Sequence, residues 1–338
     1  MTLLERDKPG HERSASGALT RVLRFEYGDR DLYTGLTLRA LARWQALERQ
    51  SGEVLFVRQG MLHIATGAGE WELASLRTVA AHGVVTELLE PAEVVRRWPA
   101  FAPDGISFAL YSPGGGYLWA RRATLALARE AVSAGVRVRA GARVVEAGGG
   151  RVELADGTDL RADVVVLCTG AWSGGIDVRL RAIVPRRQAT AYFDAHVPDI
   201  PVYGDGGLDF YGFPSHDGLG PKIGWHRTVT GEVADPADPA AREVTEADLA
   251  PLRRFAAARL GLVGAQVSMA DVCFYAMTPD EHPIVDRLDD RTVACAGFSG
   301  HGFKFAPVVG EAAAELALGI EPSVDVSELR LGRAALHG

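Results

Sequence analysis

The most constraining feature of this sequence is a short run of β-branched residues that stops at a glycine. Residues 163–170 are Asp-Val-Val-Val-Leu-Cys-Thr-Gly. Such a run is typical of a parallel strand packed on both faces, and parallel strands are joined by helical crossovers. Strands that end abruptly in glycine are common where the edge of an open sheet meets a ligand. The segment therefore predicts an α/β layer with a binding site at the end of this strand.

Two kinds of organisation alternate along the 338 residues. Strand and helix patterns fill residues 1–50, 119–182 and 280–338, whereas short strands broken by glycine and proline fill residues 51–118 and 183–279. A length of about 150 residues per domain favours two domains. Because each kind of segment recurs after the other, we predict two interleaved domains, one α/β and one built on an antiparallel sheet.

Periodicity and turn residues predict the individual elements. We expect helices over 36–50, 70–82, 91–97, 121–134, 245–260 and 304–319, and strands over 2–5, 136–140, 163–170, 268–277, 283–286 and 292–297. Val54–Val57 and Met61–Ala65, separated by Gln59-Gly60, predict one hairpin. A second hairpin is expected at the Asp156-Gly157 turn, and a loop over Ala234–Ala241.

Composition and charge exclude several classes of function. The 36 Lys+Arg and 43 Asp+Glu give a net charge of -7 without a basic run, so nucleic acid is not an expected partner. Apolar runs are far shorter than the roughly 20 residues of a membrane span, and charges from the fifth residue leave no signal peptide. We expect no membrane contact and a cytoplasmic location. The three cysteines fit neither a disulfide framework nor a zinc site, and no metal is expected.

Lysine is rare among the basic residues of this chain. Only Lys8, Lys222 and Lys304 occur, and the last two lie in segments rich in glycine and aromatic residues. Lysine is a compact, titratable point charge, whereas arginine is a planar fork that stays protonated. Lys222 and Lys304 are therefore candidates for positions where arginine does not serve. The alternative is a surface side chain whose stem covers apolar groups.

Several separate segments carry a family resemblance. They are Thr20–Gly28, Arg97–Pro99, Thr169–Trp172, Tyr211–Ser215, Lys222–His226, Cys273–Tyr275 with Thr278–His282, and Gly297–Lys304. With them the chain resembles, from Thr2 to about Arg330, the monomeric sarcosine oxidase group of FAD-dependent amine oxidases. That group includes N-methyltryptophan oxidase and pipecolate oxidase and lies within the D-amino-acid-oxidase superfamily.

The resemblance implies a fold and an activity. The α/β segments would form a Rossmann-like FAD-binding domain, interleaved with a substrate domain on the antiparallel sheet. The implied reaction oxidises a secondary amino acid, N-methyl or cyclic, such as sarcosine, to an imine and reduces dioxygen to hydrogen peroxide. The expected partners are this small amine and dioxygen, and the relatives favour a monomer.

The start of the chain departs from the family pattern. Such flavoproteins open with a strand, a G-x-G-x-x-G turn and a helix that hold the pyrophosphate, followed by an acid for the ribose. Glu5 matches that acid, but the sequence contains no G-x-G-x-x-G. We expect a wrongly chosen start at Met1, and the alternative is an inactive, flavin-free remnant. Folded protein with stoichiometric FAD, expressed from Met1, would contradict the idea that the missing segment is needed.

The cofactor contacts follow from the resemblance. Cys273 matches the cysteine that attaches FAD covalently through a thioether; the alternative, a small buried strand residue, is kept for Cys168 and Cys295. The loop from Gly297 precedes the last helix, so its amides can face an electron-rich ring edge. The remaining matches to FAD contacts are Glu5, Ser16, Thr20, Arg21, Val144, Gly170, Trp172, Gly300 and Lys304.

Three cations carry the implied chemistry. Lys222 matches the lysine credited with activating dioxygen, where a fixed cation stabilises the negative charge that develops on oxygen. Arg24 and Lys304 match the pair that binds the substrate carboxylate through charge-assisted hydrogen bonds. A purely structural role would instead pair each of these two cations with an acid, and Glu26 is the candidate for one.

Aromatic and histidine side chains complete the implied site. Tyr211 and Tyr275 match the aromatics that flank the amine. His226 and His301 lie in matching segments near the flavin, and the alternative for either is a core histidine with a satisfied hydrogen bond.

The sequence does not identify which amine is the substrate. Ala276 stands where several relatives carry a hydroxyl residue, and the loops 113–116 and 203–208, which size the pocket, have no predictable shape. An FAD-dependent dehydrogenase, or a tailoring enzyme that acts on a bulkier amine, is the alternative. A comparison of oxygen with artificial acceptors distinguishes these functions.

Overall fold

A computed structural model describes residues 1–206, 209–226, 233 and 235–336. Its helices are α1 (Asp31–Ser51), α2 (Glu70–Ala81), α3 (Pro91–Arg97), α4 (Ala120–Ser133), α5 (Ser173–Ile176), α6 (Glu246–Leu260) and α7 (Ala306–Ala317). Strands β1 to β10 are Thr2–Leu4, Thr20–Leu23, Phe56–Val57, Met61–Ala65, Glu87–Leu89, Phe108–Ser112, Gly116–Trp119, Arg137–Arg139, Val144–Gly148 and Arg151–Leu154. Strands β11 to β19 are Asp159–Arg161, Val165–Leu167, Val184–Phe193, Val202–Asp205, Phe210–Phe213, Lys222–Trp225, Val267–Met277, Ile284–Asp289 and Thr292–Ala296.

The largest sheet has eight strands in the order β17-β13-β16-β15-β14-β4-β6-β5. All neighbours are antiparallel except β14 and β4, which run parallel. Helix α6 packs against one face through Phe255, which stacks on Phe210 of β15 with the ring centroids 4.3 Å apart. The antiparallel sheet predicted for this part of the chain is confirmed, and its first four strands carry the candidate site.

The other parallel pairs of strands lie in smaller sheets. β12 runs parallel to β19, which pairs with β18, and β1 runs parallel to β8. Helices α1 and α7 pack together, and the fully buried Trp44 of α1 donates its indole N–H to the carbonyl of Lys304, at 2.8 Å. The mixed α/β class is thus confirmed, whereas the proposed domain boundaries stay a prediction.

A three-stranded sheet, β2-β7-β3, shows that one predicted hairpin is wrong. β3 pairs with β7, whereas β4 pairs with β6 and β14, so these strands belong to different sheets. The turn between them donates the Gly60 N–H to the carbonyl of Gly115 rather than closing a hairpin. Gly60 has φ 78°, and a Cβ there would lie 2.5 Å from the Tyr111 ring. The second hairpin, β10 with β11, is confirmed.

Strand β12, which lies within the β-branched run 163–170, is buried on one face. Val165 and Leu167 are buried, but Val166, whose side chain points to the opposite face of the sheet, is 41% exposed, so the predicted packing of this strand on both faces is wrong. Cys168 is exposed just beyond the strand, so its expected burial is wrong, whereas Cys295 is buried as expected.

Two predicted loops lie partly outside the described residues. In 203–208, residues 207 and 208 are outside, and Tyr203–Asp205 belong to β14. In Ala234–Ala241, Ala234 is outside, and a 3₁₀ turn covers Pro239–Arg242. None of the helices within the described ranges combines the length and the apolar character needed to cross a membrane.

Candidate active site

Lys222 is a buried cation at the centre of the large sheet. It begins β16, is 2% exposed, and donates from Nζ to the carbonyl oxygen of Thr20 at 3.3 Å and to Thr20 Oγ1 at 3.5 Å. Nζ also lies 4.9 Å from the centre of the Phe213 ring. Burial, helped by the charge of Arg21, lowers the pKa of Lys222 to about 7. The surface role considered for this lysine is therefore wrong.

Arg21 provides the positive charge beside Lys222 and Cys273. Its guanidinium donates to the carbonyl oxygens of Ala15 at 2.7 Å and Thr20 at 3.1 Å. Burial raises the pKa of the Cys273 thiol, and the charges of Arg21 and Lys222 oppose that shift. Cys273 is half-buried on β17, one strand from Lys222 across β13. A thiol, a lysine and an arginine from three strands thus lie close enough for their charges to interact.

Two tyrosines line the same region. The Tyr211 ring crosses Gly224 on the paired strand, where a Cβ would lie 2.4 Å from it. The Tyr275 ring lies against Gly300, which has φ 82° and a Cβ position only 2.2 Å from that ring. Burial raises the pKa of Tyr211 to about 12, so both phenols stay protonated at neutral pH. Any side chain at Gly224 or Gly300 would displace a tyrosine.

Arg24 and Lys304 form the second cationic group. Lys304 is 4% exposed and donates from Nζ to Tyr27 Oη at 2.7 Å and to the carbonyl of His301 at 3.0 Å. Arg24 donates from Nη1 to the carbonyl of Glu26 at 2.6 Å, and its Cζ lies 4.3 Å from the centre of the Tyr27 ring. Burial and the charge of Arg24 lower the pKa of Lys304.

The carboxylate of Glu26 pairs with neither of these cations. It is fully buried, accepts hydrogen bonds from the Phe25 N–H at 3.0 Å and from Ser112, and lies 3.3 Å from Nε2 of His63. Burial alone would raise its pKa, but His63 and Ser112 outweigh burial, and the pKa is lowered. The alternative, in which Glu26 pairs with one of the site cations in a purely structural role, is therefore wrong. Within the described ranges, Arg24 and Lys304 have no carboxylate partner.

The two histidines stand beside the second cationic group. His301 Nε2 lies 3.1 Å from the carbonyl of Glu281, so Nε2 must carry the proton and Nδ1 is a buried acceptor without a partner. The His226 ring lies 5.4 Å from the Tyr275 ring. Burial lowers the pKa of both histidines, and Arg24 and Lys304 lower it further, so both rings are neutral at pH 7. The unpartnered Nδ1 of His301 distinguishes this residue from a core histidine whose hydrogen bonds are satisfied.

The glycine-rich loop after β19 closes over the end of β17. Gly297 and Gly300 have φ values of 68° and 82°, and Ser299 between them also has a positive φ, of 46°. The Ser299 N–H bonds to the carbonyl of Ala276, which ties the loop to β17. The loop leads through a 3₁₀ turn into α7, so its backbone amides lie beside Tyr275 and Lys304.

The remaining predicted contacts form a separate group beside β1. Glu5 follows β1 and its carbonyl accepts from the Ala142 N–H, while Val144 begins β9 in the same apolar cluster as Leu4. The turn Gly170–Trp172 packs against β13 and β17, and Gly170, at φ 55°, faces open space. Arg6 stacks on the Trp172 ring at 4.6 Å. These residues extend the site away from Cys273.

Ser16 lies on the segment that joins the two groups. Its Oγ lies 3.2 Å from Ser14 Oγ. Arg242 donates to the carbonyl of Arg13 at 2.8 Å and to that of Val272 at 3.2 Å, which places the segment beside the strand that carries Cys273.

This arrangement fits the FAD that the sequence implies. Trp172 Nε1 and His301 Nδ1 are buried polar atoms without partners, and Lys222, Lys304 and Arg21 have no carboxylate partner in the described ranges. Unpaired buried polar groups and charges are costly, so such a group is expected to face a polar or anionic ligand. No cluster of three or more metal-ligating side chains occurs among the described residues.

Sequence reasoning missed four neighbours of the site. Tyr27 lies in the same segment as Arg24, three residues further along the chain, and this closeness in sequence could have marked it as a neighbour of the site. Tyr192 contributes a buried hydroxyl without a partner near Lys222, and Trp71 stacks on Arg24. Gln188 donates to the His226 carbonyl at 2.6 Å. The last three come from distant segments, so no local pattern marks them.

Comparison with known proteins agrees with this geometry. The sequence model of the DAO family, FAD-dependent oxidoreductases, matches residues 1–316. Monomeric sarcosine oxidase of Bacillus sp. (strain B-0618) is 30% identical over 99% of this chain and 90% of its own length. N-methyl-L-tryptophan oxidase of Yersinia pestis (strain Pestoides F) is 29% identical over 98% of this chain and 92% of its own.

Solved structures share the fold. L-proline dehydrogenase from P. horikoshii has a TM-score of 0.84 at 22% identity, covering 98% of this chain and 90% of its own. Glycine oxidase from Geobacillus kaustophilus has a TM-score of 0.80 at 20% identity, covering 98% and 91%. With the family match over most of the chain, the protein belongs to the DAO family of FAD-dependent oxidoreductases, in the group of amine oxidoreductases that contains the monomeric sarcosine oxidases and N-methyl-L-tryptophan oxidases.

Proposed function

We propose that this protein is an FAD-dependent oxidase of small secondary amino acids, N-methyl or cyclic, such as sarcosine, with dioxygen as the electron acceptor. The observation that carries the proposal is the pair Arg24 and Lys304, two cations that no carboxylate of the described residues neutralises. A substrate carboxylate would supply the missing negative charge. Sarcosine and N-methyl-L-tryptophan, the amines in the relatives' names, both carry one.

Substrate binding rests on two different donors. Arg24 offers a planar fork that binds a carboxylate through two hydrogen bonds, and Lys304 offers a point charge held in place by Tyr27. Lys304 also lies among aromatic rings, where its attraction to an anion is stronger than in water. Together they orient the amino acid so that its amine points towards the tyrosines.

The amine lies between neutral groups in this proposal. Tyr211 and Tyr275 offer ring faces and protonated hydroxyls, and the unpaired Nδ1 of His301 is an acceptor for a proton of the amine. Neutral His226 and His301 avoid repulsion with the substrate ammonium. These residues orient and desolvate the carbon that loses hydrogen. Bound FAD supplies the electron acceptor for that C–H oxidation and, once reduced, the electron donor for oxygen.

Lys222 is the residue that we assign to the oxygen reaction. It is held on Thr20 in an apolar surrounding, so its charge is poorly screened. A cation of this kind stabilises the negative charge that develops when electrons reach dioxygen. The residues that would hold the cofactor beside it are Cys273, Arg21, Thr20, Ser16, Glu5, Val144, Gly170, Trp172, Gly297, Gly300 and Lys304.

Covalent attachment through Cys273 gives a direct prediction. Acid precipitation of the native protein is expected to leave yellow colour in the pellet, and Cys273→Ser is expected to release FAD into the supernatant. The exposed Cys168 provides a matched control, because Cys168→Ser should keep the flavin in the pellet. Absorbance of both fractions at the flavin band measures the result. Flavin released from the native protein would show that the attachment is not covalent.

A substrate panel tests the proposed function. N-methyl and cyclic amino acids are supplied to the FAD-loaded protein, and oxygen uptake and peroxide are measured, with an artificial electron acceptor in parallel. We expect equal amounts of oxygen consumed and peroxide formed with carboxylate-bearing secondary amines. Turnover with the artificial acceptor alone would identify a dehydrogenase, and turnover only with bulky amines would identify a tailoring enzyme.

The cellular setting follows from the same proposal. We expect the protein to act as a monomer, as the name monomeric sarcosine oxidase indicates for one relative, and to lie in the cytoplasm. Light scattering at micromolar concentration would test the oligomeric state.

A further inference from the structure

The guanidinium of Arg24 contacts two aromatic rings. Its Cζ lies 4.3 Å from the centre of the Tyr27 ring and 5.4 Å from the centre of the Trp71 ring. A cation within about 6 Å of a ring centre is attracted by the electrons of the ring face. The guanidinium therefore has one aromatic neighbour, Tyr27, three residues further along the chain, and a second, Trp71, on helix α2.

The chain is built so that Trp71 can approach. Gly28 has φ 66°, and a Cβ at that position would lie 3.0 Å from two atoms of the indole. Helix α2 is fastened to the same turn, because the Gly28 N–H donates to Ser75 Oγ at 2.7 Å and Thr78 Oγ1 donates to the Gly28 carbonyl at 2.8 Å. Only glycine combines this backbone with this closeness. The position of the indole is thus fixed relative to Arg24.

The buried pair His63 and Glu26 lies next to the Trp71 indole. The His63 ring lies 5.2 Å from the Trp71 ring, and His63 Nε2 lies 3.3 Å from the carboxylate of Glu26. The carbonyl of Glu26 in turn accepts the 2.6 Å hydrogen bond from Arg24. Trp71 itself is 39% exposed, so this neighbour of Arg24 lies at the surface of the protein.

We infer that Trp71 is a positioning residue that selects carboxylate-bearing substrates by holding Arg24 with its hydrogen-bonding edge free. The inference deepens the proposed function and rests on it. The Tyr27 and Trp71 rings contact the guanidinium and the Glu26 carbonyl takes one N–H, which leaves its other N–H groups for the carboxylate of a substrate. Since the side chain is ordered before the substrate arrives, binding does not have to immobilise it.

Trp71→Leu tests the inference, with Trp71→Phe as the variant that keeps a ring. The Michaelis constant for an N-methyl amino acid is expected to rise about 2- to 10-fold in Trp71→Leu, the cost of ordering one flexible side chain, with little change in kcat. Trp71→Phe should recover most of the affinity. The uncharged N-methyl amide of the same amino acid should show no such rise. Trp98→Phe, a change of another half-buried indole, serves as the control.

A double variant separates positioning from a general structural effect. In an Arg24→Met background, Trp71→Leu is expected to change nothing further, because the indole acts through the guanidinium. Equal losses for acid and amide, or a further loss in the Arg24→Met background, would overturn the inference. Calorimetric binding of propionate to native protein and to Trp71→Leu repeats the test without turnover. A protein that binds propionate through Arg24 and Trp71 but oxidises no amine would refute the proposed function alone.

Discussion

Replacement of Lys222 by methionine is expected to slow the reaction of the reduced enzyme with dioxygen by about 10²- to 10³-fold. That is the usual cost of losing one fixed group that stabilises developing negative charge. Lys222 is 2% exposed, and its hydrogen bonds in the described structure go to Thr20 alone, so water does not screen its charge. Anaerobic reduction by the amine should change less than a few-fold, because Arg24 and Lys304 bind the carboxylate.

Stopped-flow measurement of the two half-reactions checks this prediction. Lys8→Met is the matched control, since Lys8 is an exposed lysine outside the site. Equal slowing of reduction and reoxidation in Lys222→Met would remove the assigned role. Loss of both activities in Lys8→Met would point to a general charge effect instead.

The pH dependence of the oxygen reaction has a defined sign. Burial, with the charge of Arg21, lowers the pKa of Lys222 to about 7, and an anionic cofactor beside it would shift that pKa upward. The native enzyme is therefore expected to lose reoxidation rate as the pH rises through a value above 7. Lys222→Met should lack this decline. A decline of the same size in both proteins would assign it to another group.

Replacement of Arg24 by methionine is expected to raise the Michaelis constant for a carboxylate-bearing amine by a factor of about 30 to 5,000. This corresponds to the roughly 2–5 kcal/mol lost when one partner of a buried charge pair is removed. Arg24→Lys should recover only part of the loss, because an ammonium cannot bind a carboxylate in the same bidentate way. The amide analogue should bind the variant and the native protein alike.

Lys304→Met also tests the binding of the substrate carboxylate. This replacement is expected to lower the affinity for the substrate and, at the same time, to raise the stability of the protein. Burial lowers the pKa of Lys304, so the folded state holds this proton less tightly than the unfolded chain, whose lysines titrate near 10.5. Its charge therefore costs stability increasingly as the pH falls below about 10.5. Lys304→Met should lose affinity for the carboxylate and yet show a raised melting temperature at pH 7. A variant that loses both affinity and stability would not support a substrate-binding role.

Local sequence predicted much of this site. The scarcity of lysine marked Lys222 and Lys304, and both are buried, whereas the exposed Lys8 lies outside the distinctive segments. The family resemblance implied that residues of β2, β16 and β17 belong to one site; this role stays a prediction, and Arg21, Lys222 and Cys273 on these strands lie near one another. These successes share one cause: each residue lies in a segment whose neighbours are also part of the site.

Contacts between distant segments were not predictable. Glu26 was considered as a partner of a site cation, in the structural alternative, because only its neighbours along the chain were known, but its partners His63 and Ser112 come from β4 and β6. The hairpin at Gln59-Gly60 failed for the same reason, since β3 and β4 find better partners in separate sheets. Trp71 depends on the approach of α2 to Gly28, which no local pattern reveals.

The most direct test of the account is the anaerobic addition of sarcosine or a cyclic secondary amino acid to the FAD-loaded protein, followed by air. We predict that the flavin absorbance bleaches with the amino acid at a low, subsaturating concentration, that it bleaches much less with the corresponding uncharged amide at the same concentration, and that air restores it with one peroxide per flavin. Absorbance that stays unchanged with every carboxylate-bearing secondary amine, or that bleaches equally with acid and amide, would contradict the claim that Arg24 and Lys304 select the substrate.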